Sequence, residues 1–241
     1  MNSVRLHVNV DHIATLRNAR GTPYPDPIEG AAICLDAGAD GITAHLREDR
    51  RHIKDADVEL LKELLDSRAQ TFNLEMGATD EMVAIAARVH PNVVTLVPER
   101  REERTTEGGL DVVGGGATLQ RAIDRLRGAK IRVSLFIAPD PVQIEAARKA
   151  GVEQIELHTG DYAHAEGSDN ELFRLRSAAK LASEMGIEVA AGHGLTRTNV
   201  PKLISVKEIV ELNIGHAIIA DAVFLSLRDA VLEMRAAIQS G

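Results

Sequence analysis

Eight short strand-like runs begin near residues 4, 41, 71, 93, 131, 154, 187 and 210, and stretches of helical periodicity separate them. Strand and helix alternating at a spacing of roughly 30 residues is the βαβ pattern and implies a parallel sheet. The pattern inside the runs narrows the fold further. In "LHVNVDH", Leu6, Val8 and Val10 fall on one side and His7, Asn9 and Asp11 on the other. "GITAHLRE" sets Ile42, Ala44 and Leu46 against Thr43, His45 and Arg47; "TFNLEM" sets Phe72, Leu74 and Met76 against Asn73 and Glu75; "QIELHTG" sets Ile155 and Leu157 against Glu156 and His158. A half-buried antiparallel sheet would turn such a polar side to water, but the connections here are too long and too helical. In a closed parallel sheet the polar side points into the barrel, where unpaired polar groups are costly. A chain that repeats this in several strands is expected to use its interior.

The connecting stretches carry helix punctuation. "DPIEGAAICLDAGAD" has Pro27 near its start and Gly38 near its end, "DADVELLKELLDS" repeats Val58, Leu61, Leu64 and Leu65, and Thr79 followed by acids reads as an N-cap. The seventh helix, around "NVPKLIS", is short. Eight such units in 241 residues fit one α/β domain over residues 1–241, a single (β/α)8 TIM barrel with extra short helices; such barrels take about 250 residues. Length alone permits two domains, but no Pro/Gly/Ser-rich linker divides the chain. No G-x-G-x-x-G follows the first run, so a dinucleotide-binding sheet lacks its fingerprint.

Aromatic residues are only 2% and Trp is absent, so Leu, Ile, Val and Ala must build the core. A net charge of −8 disfavours nucleic acid as a partner, which needs a basic footprint. The single Cys34 sits on an apolar helix face and reads as packing; one cysteine excludes an internal disulfide. There is no N-terminal apolar leader and no apolar run near the ~20 residues of a membrane span. The expectation is a soluble cytoplasmic protein without a membrane partner.

Barrel chemistry lies at the C-terminal ends of the strands. That rule selects Asn9, Asp11 and His12; His45 and Arg47; Glu75; Glu156 and His158; His193; and Asn213, Gly215 and His216. Six histidines gather near this rim once His52 is counted, whereas His7, His90 and His164 fall elsewhere. A lone strand histidine is usually structural; six at one rim ask for chemistry. "AGHGLT" after the seventh run and "NIGHAIIADAV" after the eighth match the usual barrel phosphate site, in which Gly192, Gly194 and Gly215 let backbone N–H groups approach an anion. The plainer reading is that these glycines only permit tight turns; both loops carrying the pattern favours phosphate. The basic clusters "RNARG" (17–21) and "REDRRH" (47–52) each follow a strand, and Arg47, His52 and Arg20 suggest a second anion site. The Gly-rich polar segment 99–116, with Thr105 and Thr106, suits a lid. No lysine ends a strand, which argues against a Schiff-base aldolase. No H-x-H at the first run and no H-E-x-x-H leave metal-dependent hydrolysis a minority reading.

These pieces occur together in order. "VNVDHIATLRNARGTPYPDP", "AHLREDRRHI", "NLEM", "TTEGGLDV", "IELHTG", "AGHGLT" and "ELNIGHAII" resemble the pyridoxine 5'-phosphate synthase family over nearly the whole chain. "VVGGGATL" and the stretch 161–170 depart from the pattern. The resemblance implies condensation of 3-amino-2-oxopropyl phosphate with 1-deoxy-D-xylulose 5-phosphate, giving pyridoxine 5'-phosphate, phosphate and water. It implies a homo-octamer with no metal or organic cofactor. By the same resemblance Asn9, Arg20, Gly194, Gly215 and His216 hold the aminoketone phosphate, and Asp11, His12, Arg47, His52 and Thr105 hold the deoxyxylulose phosphate. His45 and Glu75 are implied as proton acceptors, His193 as proton donor and Glu156 as a transition-state stabiliser. Ring closure with loss of water and phosphate needs several proton transfers, so inward acids and bases fit it. The rivals are another phosphate-handling barrel enzyme, such as an isomerase or a thiamin-phosphate synthase-like protein, and a non-catalytic phosphometabolite binder.

Overall fold

The structure is a computed structural model that describes residues 4–99 and 108–241. Eight parallel strands close a barrel in chain order: β1 (Arg5–Asn9), β2 (Gly41–His45), β3 (Thr71–Met76), β4 (Val93–Leu96), β5 (Arg132–Ile137), β6 (Gln154–His158), β7 (Glu188–Gly192) and β8 (Ile209–Ile214), with β8 pairing back to β1. Around them lie α1 (Asp11–Arg20), α2 (Pro27–Asp36), α3 (Asp55–Ser67), α4 (Asp80–Val89), α5 (Val112–Gly128), α6 (Pro141–Ala150), α7 (Gly160–His164), α8 (Asp169–Glu184), α9 (Val200–Leu203), α10 (His216–Asp221) and α11 (Leu227–Gln239). The extra helices are α1, α7 and α10, each preceding the main helix of its unit; α9 is the short seventh helix, of four residues.

Local chemistry sets the helix starts. Asp26, Thr79, Asp140, Ser168 and Ser226 each accept a hydrogen bond from an amide of the first turn, satisfying a donor the helix cannot. The segment expected as one loop over 99–116 is shorter than that. Asp111 accepts from the amide of Gly114 at 2.9 Å and starts α5 at Val112, and the glycines are absorbed by a break at Gly116 (φ 50°, ψ −140°). Thr105 and Thr106 lie outside the described residues. The core between strands and helices is aliphatic, as composition requires, and Cys34 is fully buried in it, its thiol pushed up to about 12 by burial. No described helix is long and apolar enough to cross a membrane.

The barrel interior is polar and layered. At the N-terminal end of the strands, Arg5 donates to Glu211 at 3.0 Å and to Glu188, and Gln154 donates to both acids at 3.2 and 3.3 Å. His7 fills the space left by Gly41, whose added Cβ would meet the ring at 2.6 Å. One layer higher, hydrogen bonds cross five strands in one direction. Thr95 donates to Asn73 at 2.8 Å, Asn73 to Thr43 at 3.3 Å, Thr43 to Asn213 at 2.8 Å, and Asn213 to Glu156 at 2.7 Å. Such a chain offsets the cost of burying its members, because each finds a partner. The sequence expectation that Thr43 and Ser134 would both be satisfied inside holds for Thr43 only. Ser134 Oγ is buried without a partner among the described residues; its register neighbours Thr95 and Gln154 bond elsewhere, to Asn73 and to Glu188 and Glu211.

Candidate active site

The C-terminal rim stands directly above this chain. Asp11, at the start of α1, is buried; its Oδ1 accepts from the backbone amide of His45 at 2.8 Å and its Oδ2 from Asn9 Nδ2 at 2.9 Å. Asn9 of β1, Asp11 of α1 and His45 of β2 are therefore one unit. His45 ends β2, and its register partner Glu75 is the last residue but one of β3. His45 Nε2 lies 3.0 Å from Oε1 of Glu99, a carboxylate beyond the end of β4 that the sequence reading did not single out. The strand-end rule reaches it once β4 is known to stop at Leu96.

The six rim histidines form three couples: His45 with His52 at 5.8 Å between ring centres, His12 with His216 at 5.1 Å, and His158 with His193 at 4.9 Å. Burial, with His216 adding to it and Asp11 opposing, holds His12 below the usual histidine range; burial does the same for His52. Burial and the neighbouring His193 take His158 down to about 4. These three rings are neutral near pH 7. His193 stands at φ 82°, a left-handed conformation that is unusual for a side-chain-bearing residue. Thr159 stands against this turn, its Oγ1 lying 2.7 and 2.6 Å from the carbonyl oxygens of Gly192 and His193, between which its single hydrogen is shared.

Two carboxyl groups face the centre. Burial pushes Glu75 well above the usual range, with Glu156 and Asp11 adding repulsion. Burial and Glu211 push Glu156 up to about 8, against the bond it accepts from Asn213. Glu156 fits only because position 192 is glycine: a Cβ there would lie 2.1 Å from its Oε1. Burial thus raises the proton affinity of both groups, making each carboxylate a stronger base than usual and each acid slower to ionise.

The expected anion loops fall at this rim. Gly194 has φ 78°, and α10 begins at His216 after Gly215 with no side-chain cap on its first amides. Gly215 packs so that a Cβ would be 3.0 Å from that of Asn9. Arg47 is buried at the end of β2 and lies 3.4 Å from Asp49. Arg20 is exposed at the last turn of α1, with no side-chain bond to another described residue. Arg17 of the same basic cluster is already paired. It is buried and makes two bonds of 2.8 and 2.7 Å to Asp57, and it donates to the carbonyl of His52 at 3.2 Å. The cluster thus serves to fasten the loop that carries His52.

Ligand atoms of Asp11, His45 and His52 lie within 4.8 Å of one another, close enough to consider a cation. The donor states oppose it. His52 Nδ1 accepts from the amide of Ile53 at 2.9 Å, which puts the proton of the neutral ring on Nε2 and leaves no lone pair there for a metal.

Fold and rim together define a barrel enzyme with acids, histidines and anion-receptive loops collected over one mouth. The chain belongs to the family described as pyridoxal phosphate biosynthesis protein PdxJ, which matches residues 6–240. It is 56% identical over 244 residues to pyridoxine 5'-phosphate synthase of Xanthobacter autotrophicus, covering 99% of this chain and 94% of that protein. It is 51% identical over 244 residues to pyridoxine 5'-phosphate synthase of Caulobacter vibrioides, covering 99% and 96%. Among solved structures, thiamine phosphate pyrophosphorylase from Pyrococcus furiosus matches with a TM-score of 0.66 at 16% identity over 99% of this chain and 96% of that one. A 3-hexulose-6-phosphate synthase matches with 0.63 at 16% over 97% and 99%. At such identity the likeness is one of fold alone.

Proposed function

We propose that the protein is a pyridoxine 5'-phosphate synthase, condensing 3-amino-2-oxopropyl phosphate with 1-deoxy-D-xylulose 5-phosphate to pyridoxine 5'-phosphate, phosphate and water. The observation that carries this reading is the pair His45 and Glu75 at the mouth with Glu156 beneath it, the two carboxyl groups having their proton affinity raised by burial. A ring-forming condensation must move protons on and off carbon, nitrogen and oxygen in turn. Each well-placed acid or base is worth about 10²–10⁴-fold in rate.

In this reading His45 and Glu75 accept protons and His193 donates one. Glu156 stabilises a cationic imine by giving up its proton as that charge forms; an acid poised near 8 does this at little cost. Gly194, Gly215 and His216, with Asn9 and Arg20, hold the aminoketone phosphate. Asp11, His12, Arg47, His52 and Thr105 hold the deoxyxylulose phosphate. The reaction needs no metal or organic cofactor, and the protein assembles as a homo-octamer in the cytoplasm. Two phosphate sites favour condensation over an isomerase, which needs one.

The test is to mix the protein with both substrates and follow phosphate release and product absorbance, with and without chelator. Product formation indifferent to chelator is expected. No product refutes the enzyme reading, and loss of activity with chelator refutes the metal-free one. His45→Ala and Glu75→Ala should lower kcat far more than they raise KM; a pure KM effect contradicts the acid–base assignment.

A further inference from the structure

Glu99 meets three donors from two other loops. Its Oε1 lies 2.9 Å from the amide of Gly77 and 3.0 Å from His45 Nε2, and its Oε2 lies 3.1 Å from the amide of Glu48. The side chain is 7% exposed. Burial works against its charge, but the bonds from His45 and the Glu48 amide, with Arg47 nearby, hold the carboxyl below its usual range. An ionised carboxylate is acceptor-only. The 3.0 Å contact is therefore N–H to oxygen, and the proton sits on His45 Nε2.

We propose that Glu99 is a positioning residue that fixes the tautomer and ring orientation of His45, leaving Nδ1 as the one ring atom able to take a proton from substrate. The backbone bond from His45 N to Asp11 fixes the main chain of the same residue, so the histidine is held at both ends. A neutral imidazole has one donor and one acceptor, and the partner of one nitrogen decides the state of the other. Because Glu99 also binds the amides at positions 48 and 77, the carboxylate cannot swing away without unsatisfying both loops. The role rests on His45 being the proton acceptor proposed above.

Magic-angle-spinning ¹⁵N NMR of histidine-labelled protein reads the tautomer directly and independently of turnover, with the His45 signals identified by their loss in His45→Ala. The native protein should show the Nε2–H form at His45. Glu99→Ala should give a mixture of tautomers and lower kcat roughly 10–100-fold, by analogy with the loss of a partner that orients a metal-bound histidine, with KM nearly unchanged. Glu99→Gln retains an oxygen for His45 and the Gly77 amide but opposes its NH₂ to the Glu48 amide, so it should recover part of the loss. In a His45→Ala background, Glu99→Gln should cost nothing further. An Nδ1–H form in the native protein, an unchanged tautomer in Glu99→Ala, or additive losses in the double variant overturns the proposal. Full turnover in His45→Ala refutes the parent reading instead, and the tautomer still decides whether Glu99 positions the ring.

Discussion

Replacing Glu156 by Gln should change how stability depends on pH. The folded carboxyl titrates near 8 against an ordinary value of 4.5, because burial and Glu211 disfavour its charge. A group raised on folding binds more protons in the native than in the unfolded state between those values, so stability falls as pH rises through that window. The full span amounts to about 5 kcal/mol at 1.36 kcal/mol per tenfold. Between pH 6 and 8, where denaturation is convenient, the loss is about 2 kcal/mol. Glu156→Gln keeps an oxygen for Asn213 Nδ2 and the volume that Gly192 accommodates, yet carries no proton to lose. Urea midpoints for native protein and variant at pH 6, 7 and 8 give the two slopes. The native midpoint should fall across this range and the variant's should fall less, with Glu75 supplying the variant's residual slope. Parallel profiles, or a native protein that gains stability toward pH 8, would show that Glu156 is ionised in the folded state.

Three further outcomes follow from the packing. Thr43→Val removes the hydroxyl between Asn73 and Asn213, leaving two buried amide groups short of a partner; at ~1–3 kcal/mol each, urea denaturation should show a loss of about 2–6 kcal/mol. Arg17→Met leaves Asp57 buried opposite an apolar chain; a loss of about 3–5 kcal/mol is expected, with a raised KM for the substrate His52 contacts, and an unchanged midpoint would contradict the fastening role. Gly41→Ala forces a methyl against the His7 ring and should cost about 1–3 kcal/mol, read as a lower thermal midpoint with kcat retained, because the contact is at the far end of the barrel from the rim.

The legible parts of this molecule were those fixed by period and position along one strand. Alternation placed Thr43, Asn73, Glu75 and Glu156 inside, and the strand-end rule placed Asp11 and His45 at the rim; every strand began within a residue of its expected start. What sequence could not supply was register between strands. Whether a hydroxyl at position 43 or 134 finds a partner depends on which residues the other strands present at that height and where those residues already bond, and Asn213 faces Thr43 across a gap of 170 residues in sequence. The same limit hid Arg17 and Glu99. Each sits in a run of charges where no one residue stands out, and each is defined by partners elsewhere, Asp57 for one and the donors at 45, 48 and 77 for the other. The polar interior first suggested a site because burying unpaired groups is expensive. The structure divides that interior: at its base the polar groups pair mainly with each other, and the groups assigned proton transfer stand at the mouth and, with Glu156, just beneath it.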